Sequence, residues 1–315
     1  MKILVTGCSG FVGSALCSHL MAKGMALAGT VRRQQDKTIP NIDYHIVSSL
    51  NGDTSWRNVL AGVSVVVHCA ARAHIMHETV SDPLEAFREV NVAGTSRLAR
   101  EAADMGVGRF IYLSSVKVNG ENTSDHPFRE DDTPAPEDPY GISKWEAEQE
   151  LHKVAGETGL EIVIIRPPLV YGPGVRANFL RLMQLVKWGI PLPLGAIRNR
   201  RSLVALDNLV DLIATCLNHP EAVNETFLVC DGEDLSTTEL LQRTAEAMGR
   251  TAYLIPISSQ VLWVAARLLG KEAFARRLCG SLQVDATKTR DLLGWAPPIS
   301  VDEALRRTAK HFQAG

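Results

Sequence analysis

Lys2-Ile3-Leu4-Val5-Thr6-Gly7-Cys8-Ser9-Gly10-Phe11-Val12-Gly13 is the stretch that decides the fold of this chain. Lys2–Thr6 is a short strand-like run. Val12, Leu16 and Leu20 then recur every four residues, the spacing of one helix face, and Gly24 is placed to end that helix. Each glycine of the turn has its own physical reason. Gly7 permits the tight bend, Gly10 lets backbone approach a bound group, and Gly13 lets the helix pack closely on the strand. The N–H groups of the helix's first turn favour negative charge. The segment therefore reads as a cradle for the pyrophosphate of a dinucleotide, with Ser9, Phe11 and Val12 beside the glycines.

Working outward, Met25–Val31 reads as a second strand, and Val63–Val67 as an apolar strand buried on both faces. Phe110–Leu113 and Glu161–Ile165 repeat the signal, with helical patterns over Ala86–Met105 and Tyr140–Thr158. This βαβαβ succession predicts an α/β protein built on a Rossmann-like, doubly wound parallel sheet. After Arg166 the texture changes: Pro167, Pro168, Gly172, Pro173 and Gly174 cluster, followed by Pro191, Pro193 and Gly195. Helical patterns at Ser236–Met248, Gln260–Leu269, Glu272–Leu278 and Val301–Phe312 lack regular strand partners. They predict a smaller, partly helical lobe at the sheet's carboxyl edge. The expected division is residues 1–170, returning at about 203–218, for the dinucleotide, and 171–202 with 231–315 for the substrate.

The 315 residues carry 33 Lys+Arg against 35 Asp+Glu, so no global field recruits nucleic acid. No apolar run approaches the ~18–20 residues of an integral membrane segment. Lys2 is followed directly by the first strand, without the apolar region and cleavage site of a signal peptide, which gives the expectation of a cytoplasmic protein. Six cysteines lie far apart with no CxxC pair and read as buried, reduced thiols. His74, His77 and Glu78 lack metalloenzyme spacing and a third ligand, so no metal is expected. Glu130-Asp131-Asp132 reads as a solvated loop. Trp263 with Leu262, Leu268 and Leu269 reads as core or a dimer face, with a membrane-contacting amphipathic helix as the alternative.

An acid at the end of the second strand would bond the ribose hydroxyls of NAD(H). Here the strand ends Gly29-Thr30-Val31-Arg32-Arg33. Two guanidiniums suit a 2′-phosphate and favour NADP(H), with NAD(H) as the other possibility. In that case Arg32 and Arg33 are solvated charges or stack on adenine. Downstream, Tyr140 and Lys144 stand four apart at a helix start, hence on one face, after an N-capping Asp138 and Pro139. A phenol with a pKa of ~10 is a poor base at neutral pH, and a neighbouring ammonium favours the phenolate. Ser114-Ser115 at the end of another strand completes the constellation.

With these residues the chain resembles the extended short-chain dehydrogenase/reductase family, in the branch that modifies nucleotide sugars. Besides the glycine turn, Ser114-Ser115 and the Tyr140/Lys144 pair, the resemblance rests on His68-Cys69-Ala70-Ala71, Asn91–Thr95, Arg166–Gly174, Arg201–Val204, Asp207–Leu209 and Leu293-Gly294-Trp295 with Pro297. It covers nearly the whole chain. It implies hydride transfer at a sugar carbon, usually C4. Tyr140 would exchange the hydroxyl proton, Ser115 would bond the same oxygen, and Lys144 would hold the nicotinamide ribose. Ala70, Ala71, Arg72, Asn91 and Pro168 would line the cofactor. Lys117, Asn178 and Arg201 would face the UDP-sugar, with Arg277 or Arg276 as a further diphosphate contact. A homodimer through helices that include the Tyr140 segment is also implied.

Departures from the family pattern narrow the reaction. Sugar 4,6-dehydratases carry an Asp-Glu pair where this chain has Val116 and Lys117, so elimination of water is disfavoured. Val118-Asn119-Gly120 replaces the usual Val-Tyr-Gly, and the acid that often contacts adenine is replaced around Ser49-Leu50. Two enzymatic readings remain. The leading expectation is an NADPH-dependent 4-ketoreductase of a UDP-4-keto-6-deoxy-N-acetylhexosamine, serving bacterial surface polysaccharide. This leans on Arg32/Arg33 and on similarity around Ala71–Glu78 and Ser115–Glu121. The alternative is a UDP-glucose or UDP-N-acetylglucosamine 4-epimerase with tightly held NAD. A catalytically idle cofactor sensor on the same fold is a distant third, opposed by the presence of Ser115, Tyr140 and Lys144.

Overall fold

The β1 strand (Lys2–Thr6) lies at the centre of a parallel sheet, with β2 (Ala26–Val31) on one side and β4 (Val65–His68) on the other. A computed structural model describes residues 1–36, 39–73 and 82–314; His74, His77 and Glu78 lie outside the described residues. Beyond β2 comes β3 (Asp43–Ile46), and beyond β4 come β5 (Arg109–Leu113), β6 (Glu161–Arg166) and β9 (Thr226–Leu228). The order β3-β2-β1-β4-β5-β6-β9 makes a Rossmann-like α/β sheet whose winding reverses beside β1, where such folds bind ligands.

The apolar runs of β1 and β4 bury both faces of the sheet. On one face Ile3, Val5, Val65 and Val67 pack with Leu16 and Leu20 of α1 (Phe11–Ala22) and Leu209 and Ile213 of α6 (Leu206–Cys216). On the other, Leu4 and Val66 meet Leu98 of α3 (Gly94–Asp104) and Leu151 of α4 (Pro139–Thr158). The helix expected over Ala86–Met105 is instead composite. It begins as α2 (Pro83–Arg88), capped by Asp82, and passes through a wider π turn at Glu89–Ala93 before α3.

The smaller sheet follows directly from β6. Its β7 (Leu169–Tyr171) pairs in parallel with β8 (Arg201–Ala205), which pairs antiparallel with β10 (Asp234–Leu235). Phe179 and Met183 of α5 (Ala177–Trp188), Leu241 of α7 (Thr237–Ala247) and Leu305 of α11 (Val301–Ala314) form the lobe's core. Of the segment expected to return to the dinucleotide-binding part, β8 pairs within the small sheet and α6 packs on α1. A buried polar staple joins the two parts. Tyr171 donates to Asp231 at 2.8 Å, Asp231 accepts from the Ala205 N–H and the Asn208 amide, and Asn208 exchanges two hydrogen bonds with Ile299. Between α9 (Glu272–Cys279) and α11, α10 (Thr287–Leu293) leads to Trp295, whose indole donates to Asp211.

One expectation is corrected here. On α8 (Ser259–Leu268), Leu262 packs against the lobe core, but no residue of the helix is buried. Val261, Trp263, Val264, Leu268 and Leu269 are exposed, so this group is not core.

Among the described residues, the most deeply buried ion pair fixes α4 to the sheet. Arg166, at the end of β6, meets Glu148 of α4 through several hydrogen bonds, the shortest 2.6 Å, with side-chain exposures of 4% and 0%. Glu148 also accepts from the Ser114 hydroxyl, and Arg166 donates to Asn119 at 3.1 Å. Removing one member strands the other charge in a water-free site, a cost of several kcal/mol. Arg166→Ala should therefore destabilise the protein by about 3–5 kcal/mol, read from urea unfolding; a loss below ~1 kcal/mol would contradict this.

Candidate active site

The glycine turn has the shape a pyrophosphate cradle requires. Gly7 has φ +66, and a Cβ on Gly13 would stand 2.2 Å from the Gly7 carbonyl oxygen. Gly10 is the N-cap of α1 and supplies no side chain to the first-turn N–H groups, which keeps this helix end suited to an anion. Ser9 is exposed, and Phe11 and Val12 are half-buried at the helix start. Cys8 turns inward and donates its thiol to the Thr30 carbonyl, tying the turn to β2. These residues fit a dinucleotide pyrophosphate.

At the end of β2, Arg32 and Arg33 are exposed. Arg33 reaches back to Asp36, at 3.2 Å from Nη2 to Oδ1. One of the two guanidiniums assigned to a 2′-phosphate thus has a carboxylate partner within its own turn.

Ala70, Ala71 and Arg72 follow β4 as a half-buried loop. Asn91, 1% exposed, sits in the π turn and clasps that loop. Its Oδ1 accepts from the Arg72 N–H at 2.8 Å, and its Nδ2 donates to the Arg72 carbonyl and to Ser143 of α4. Asn91 therefore holds the loop that follows β4 in place. His68 beneath it is spent on structure, bonded to Thr6 at 2.7 Å and Thr95 at 3.0 Å, and burial lowers its pKa to about 3. Pro168 is buried between β6 and β7.

Ser115 follows β5 and caps a short turn, its hydroxyl accepting from the Lys117 N–H at 3.3 Å. Tyr140 and Lys144 lie on the first turns of α4, started as expected by Asp138, which accepts from the Gly141 N–H at 2.7 Å, and by Pro139. Lys144 donates to the Leu113 carbonyl at 2.8 Å, and its ammonium stands 4.5 Å from the Tyr112 ring centroid and 5.8 Å from that of Tyr140. Burial lowers the Lys144 pKa to about 8, while Cys69 and Glu148 oppose that shift. The Tyr140 phenol moves the opposite way from the expectation. Burial, and then the Asp138 carboxylate, push its pKa up. Spacing places an ammonium nearby, but desolvation dominates in the folded protein.

Lys117 is engaged by two carboxylates, Glu121 at 2.7 Å and Asp138. A Cβ on Gly141 would stand 2.9 Å from the Lys117 carbonyl oxygen, so this turn lies tight against α4. Arg201 donates to the carbonyls of Arg277 and Gly280, both at 3.1 Å; burial lowers its pKa, and the Glu121 charge opposes that shift. Asn178 and Arg277 are exposed, on the first turn of α5 and on α9. A cavity of about 450 Å³ between α5 and α11 is lined by Gly172, Met183 and Phe312 among others, and includes none of Ser115, Tyr140 and Lys144.

Some supporting residues escaped the sequence reading. Arg88 of α2 grips Glu146 of α4, at 2.6 Å from Nη2 to Oε1, bracing the catalytic helix from the side opposite β6. Glu148 stands four residues after Lys144, on the same helix face, a spacing that could have flagged it. The second role of Asp138, holding Lys117, has no local signal. Among the described residues, no group of three or more His, Cys, Asp or Glu could hold a metal ion.

Residues 3–230 match the NAD dependent epimerase/dehydratase family. The chain is 46% identical over 313 residues to a UDP-glucose 4-epimerase of Vibrio cholerae, covering 99% of this chain and 95% of that protein. A UDP-glucose 4-epimerase from Thermotoga maritima, solved with UDP-glucose, shares the fold with a TM-score of 0.79 at 23% identity, over 100% of this chain and 99% of that one. The UDP-glucose 4-epimerase of Thermus thermophilus, solved with NAD, superposes with a TM-score of 0.78 at 22% identity, over 100% of both chains. With its glycine cradle at the winding reversal and its Tyr140/Lys144 helix, the chain belongs to the NAD dependent epimerase/dehydratase family, a member of the short-chain dehydrogenase/reductase superfamily.

Proposed function

We propose that the protein is a UDP-sugar 4-epimerase that works with NAD and acts on a UDP-hexose such as UDP-glucose or UDP-N-acetylglucosamine. The observation that carries this reading is the 46% identity to a UDP-glucose 4-epimerase along almost the whole chain. It shifts the balance from the reductase to the epimerase alternative. The Arg33–Asp36 pair supports the same shift, because it weakens the argument for a 2′-phosphate. A 4-ketoreductase using NADPH remains the second reading, favoured by the absence of a carboxylate at the end of β2 and by the exposed Arg32.

A bound nicotinamide supplies the hydride acceptor and donor for the sugar's C4. In this reading residues 1–170 with 203–218 bind the dinucleotide, and 171–202 with 231–315 bind the sugar nucleotide. Tyr140 takes the proton from the C4 hydroxyl as the keto form develops and returns it afterwards. Ser115 donates to the same oxygen and orients it. Lys144 holds the ribose and stabilises the phenolate that burial disfavours. Arg201, Arg277 and Asn178 meet the diphosphate and sugar. Lys117 turns its remaining ammonium donor toward the sugar from between its two carboxylates. The same reading includes a cytoplasmic homodimer whose product enters bacterial surface polysaccharide.

Incubating the purified protein with UDP-glucose or UDP-N-acetylglucosamine, without added NADPH, should produce the galacto isomer. Consumption of NADPH by a UDP-4-keto sugar, with no epimerisation, would overturn the epimerase in favour of the reductase. Tyr140→Phe should lower kcat by about 10²- to 10⁴-fold and leave cofactor affinity unchanged; near-normal turnover would remove its assigned role. Because Tyr140 acts as a phenolate, turnover rises with pH through its pKa. Asp138 raises that pKa, and Asn keeps the helix cap, so Asp138→Asn should move the rising limb of the kcat–pH profile to lower pH. An unchanged limb, or one moved upward, would contradict this.

A further inference from the structure

Two segments of the smaller lobe, 175–200 and 249–281, concentrate features that the proposed site, Asn178 and Arg277 apart, does not use. They make up less than a fifth of the chain. Among the described residues, they hold nine of the thirteen large hydrophobic side chains left exposed. Arg277 set aside, they also hold nine Lys and Arg against one acid, Glu272, in a chain with a net charge of −2. All nine of these basic side chains are exposed. The segments are neighbours in space, paired at Leu192–Leu254 and Ala196–Ser258.

The apolar part is organised. Val261, Val264 and Leu268 fall at i, i+3 and i+7 and share one face of α8. They line a shallow, almost wholly apolar groove with Ala265. Leu268 is 82% exposed and Leu269 70%. Trp188, at the end of α5, is 67% exposed beside Lys187. Scattered exposed apolar residues need no explanation, but a cluster with aromatic members and a basic surround does.

We propose that this surface docks on an anionic lipid bilayer, with α8 lying in the headgroup region and the surrounding Lys and Arg meeting lipid phosphates. Apolar side chains gain by leaving water for the acyl boundary, tryptophan suits the interface, and the basic residues are attracted to a negative surface. A second copy of the chain fits this surface less well. A two-fold contact would place the same basic patch against itself and oppose like charges. No helix among the described residues is long and apolar enough to cross a membrane, so the attachment is peripheral. The surface borders the catalytic helix, since Arg276 of α9 pairs with Glu137 at 3.2 Å, one residue before the Asp138 cap. Docking would hold the substrate side of the molecule near the bilayer.

The test is flotation of the full chain with vesicles of phosphatidylcholine alone and of phosphatidylcholine mixed with phosphatidylglycerol. The protein should float with the anionic vesicles, float far less with the neutral ones, and be released by salt. Val264→Glu/Leu268→Glu changes two exposed residues outside the catalytic constellation. It should weaken partition by on the order of tenfold or more, with the thermal melt and soluble turnover unchanged. Recovery of the wild type wholly in the soluble fraction, or equal flotation of the double variant, would overturn the proposal. So would a dimer in analytical ultracentrifugation that the double variant abolishes while the wild type ignores vesicles, which would assign the surface to a second copy.

Discussion

The buried Glu148–Arg166 pair is the constraint on which the catalytic end of the molecule depends. It joins the middle of α4 to the end of β6, and Ser114 brings the end of β5 to the same carboxylate. Buried ion pairs often add little net stability, because desolvation offsets attraction. What this one contributes is registry. Only one rotation of α4 lets Glu148 meet Arg166, and that rotation presents Lys144 to Leu113 and carries Tyr140 on the same face. From the other side Arg88 holds Glu146, so the helix is clamped by charge on two flanks.

Charge compensation continues at the helix start. Asp138 caps α4 with one oxygen and meets Lys117 with the other, and Glu121 is the second anion of that ammonium. This explains how Lys117 is tolerated where related dehydratases carry an acid. Its charge is balanced, and it cannot remove a proton as a carboxylate would. Burial, and after it the Asp138 charge, opposes ionisation of Tyr140, while burial brings the Lys144 pKa down to about 8.

How much was legible in the sequence follows from how local each signal is. Gly7, Gly10 and Gly13 with the strand before them and the helix after, and Asp138-Pro139 before Tyr140, are read from neighbouring residues. Both features stand in the structure as expected. By contrast, β3 and β9 passed unseen, because Asp43–Ile46 has no apolar run and Thr226–Leu228 is three residues long; pairing with β2 and β6 makes them strands. The π turn that sets Asn91 was hidden within a continuous helical pattern. Spacing records the ammonium beside Tyr140 and not the depth of burial that raises its pKa. Trp263 and its neighbours were apolar enough for a core, yet no described element covers most of α8.

The account stands on the Tyr140 oxygen reaching the oxygen on the sugar's C4 while Lys144 holds the adjacent ribose. A crystal structure of the protein with NAD and a UDP-hexose tests this most directly. The Tyr140 Oη should lie about 2.6–3.2 Å from the C4 oxygen, with Ser115 on the same atom. A separation beyond ~3.5 Å with no bridging water, or a sugar that turns another carbon toward Tyr140, would contradict it.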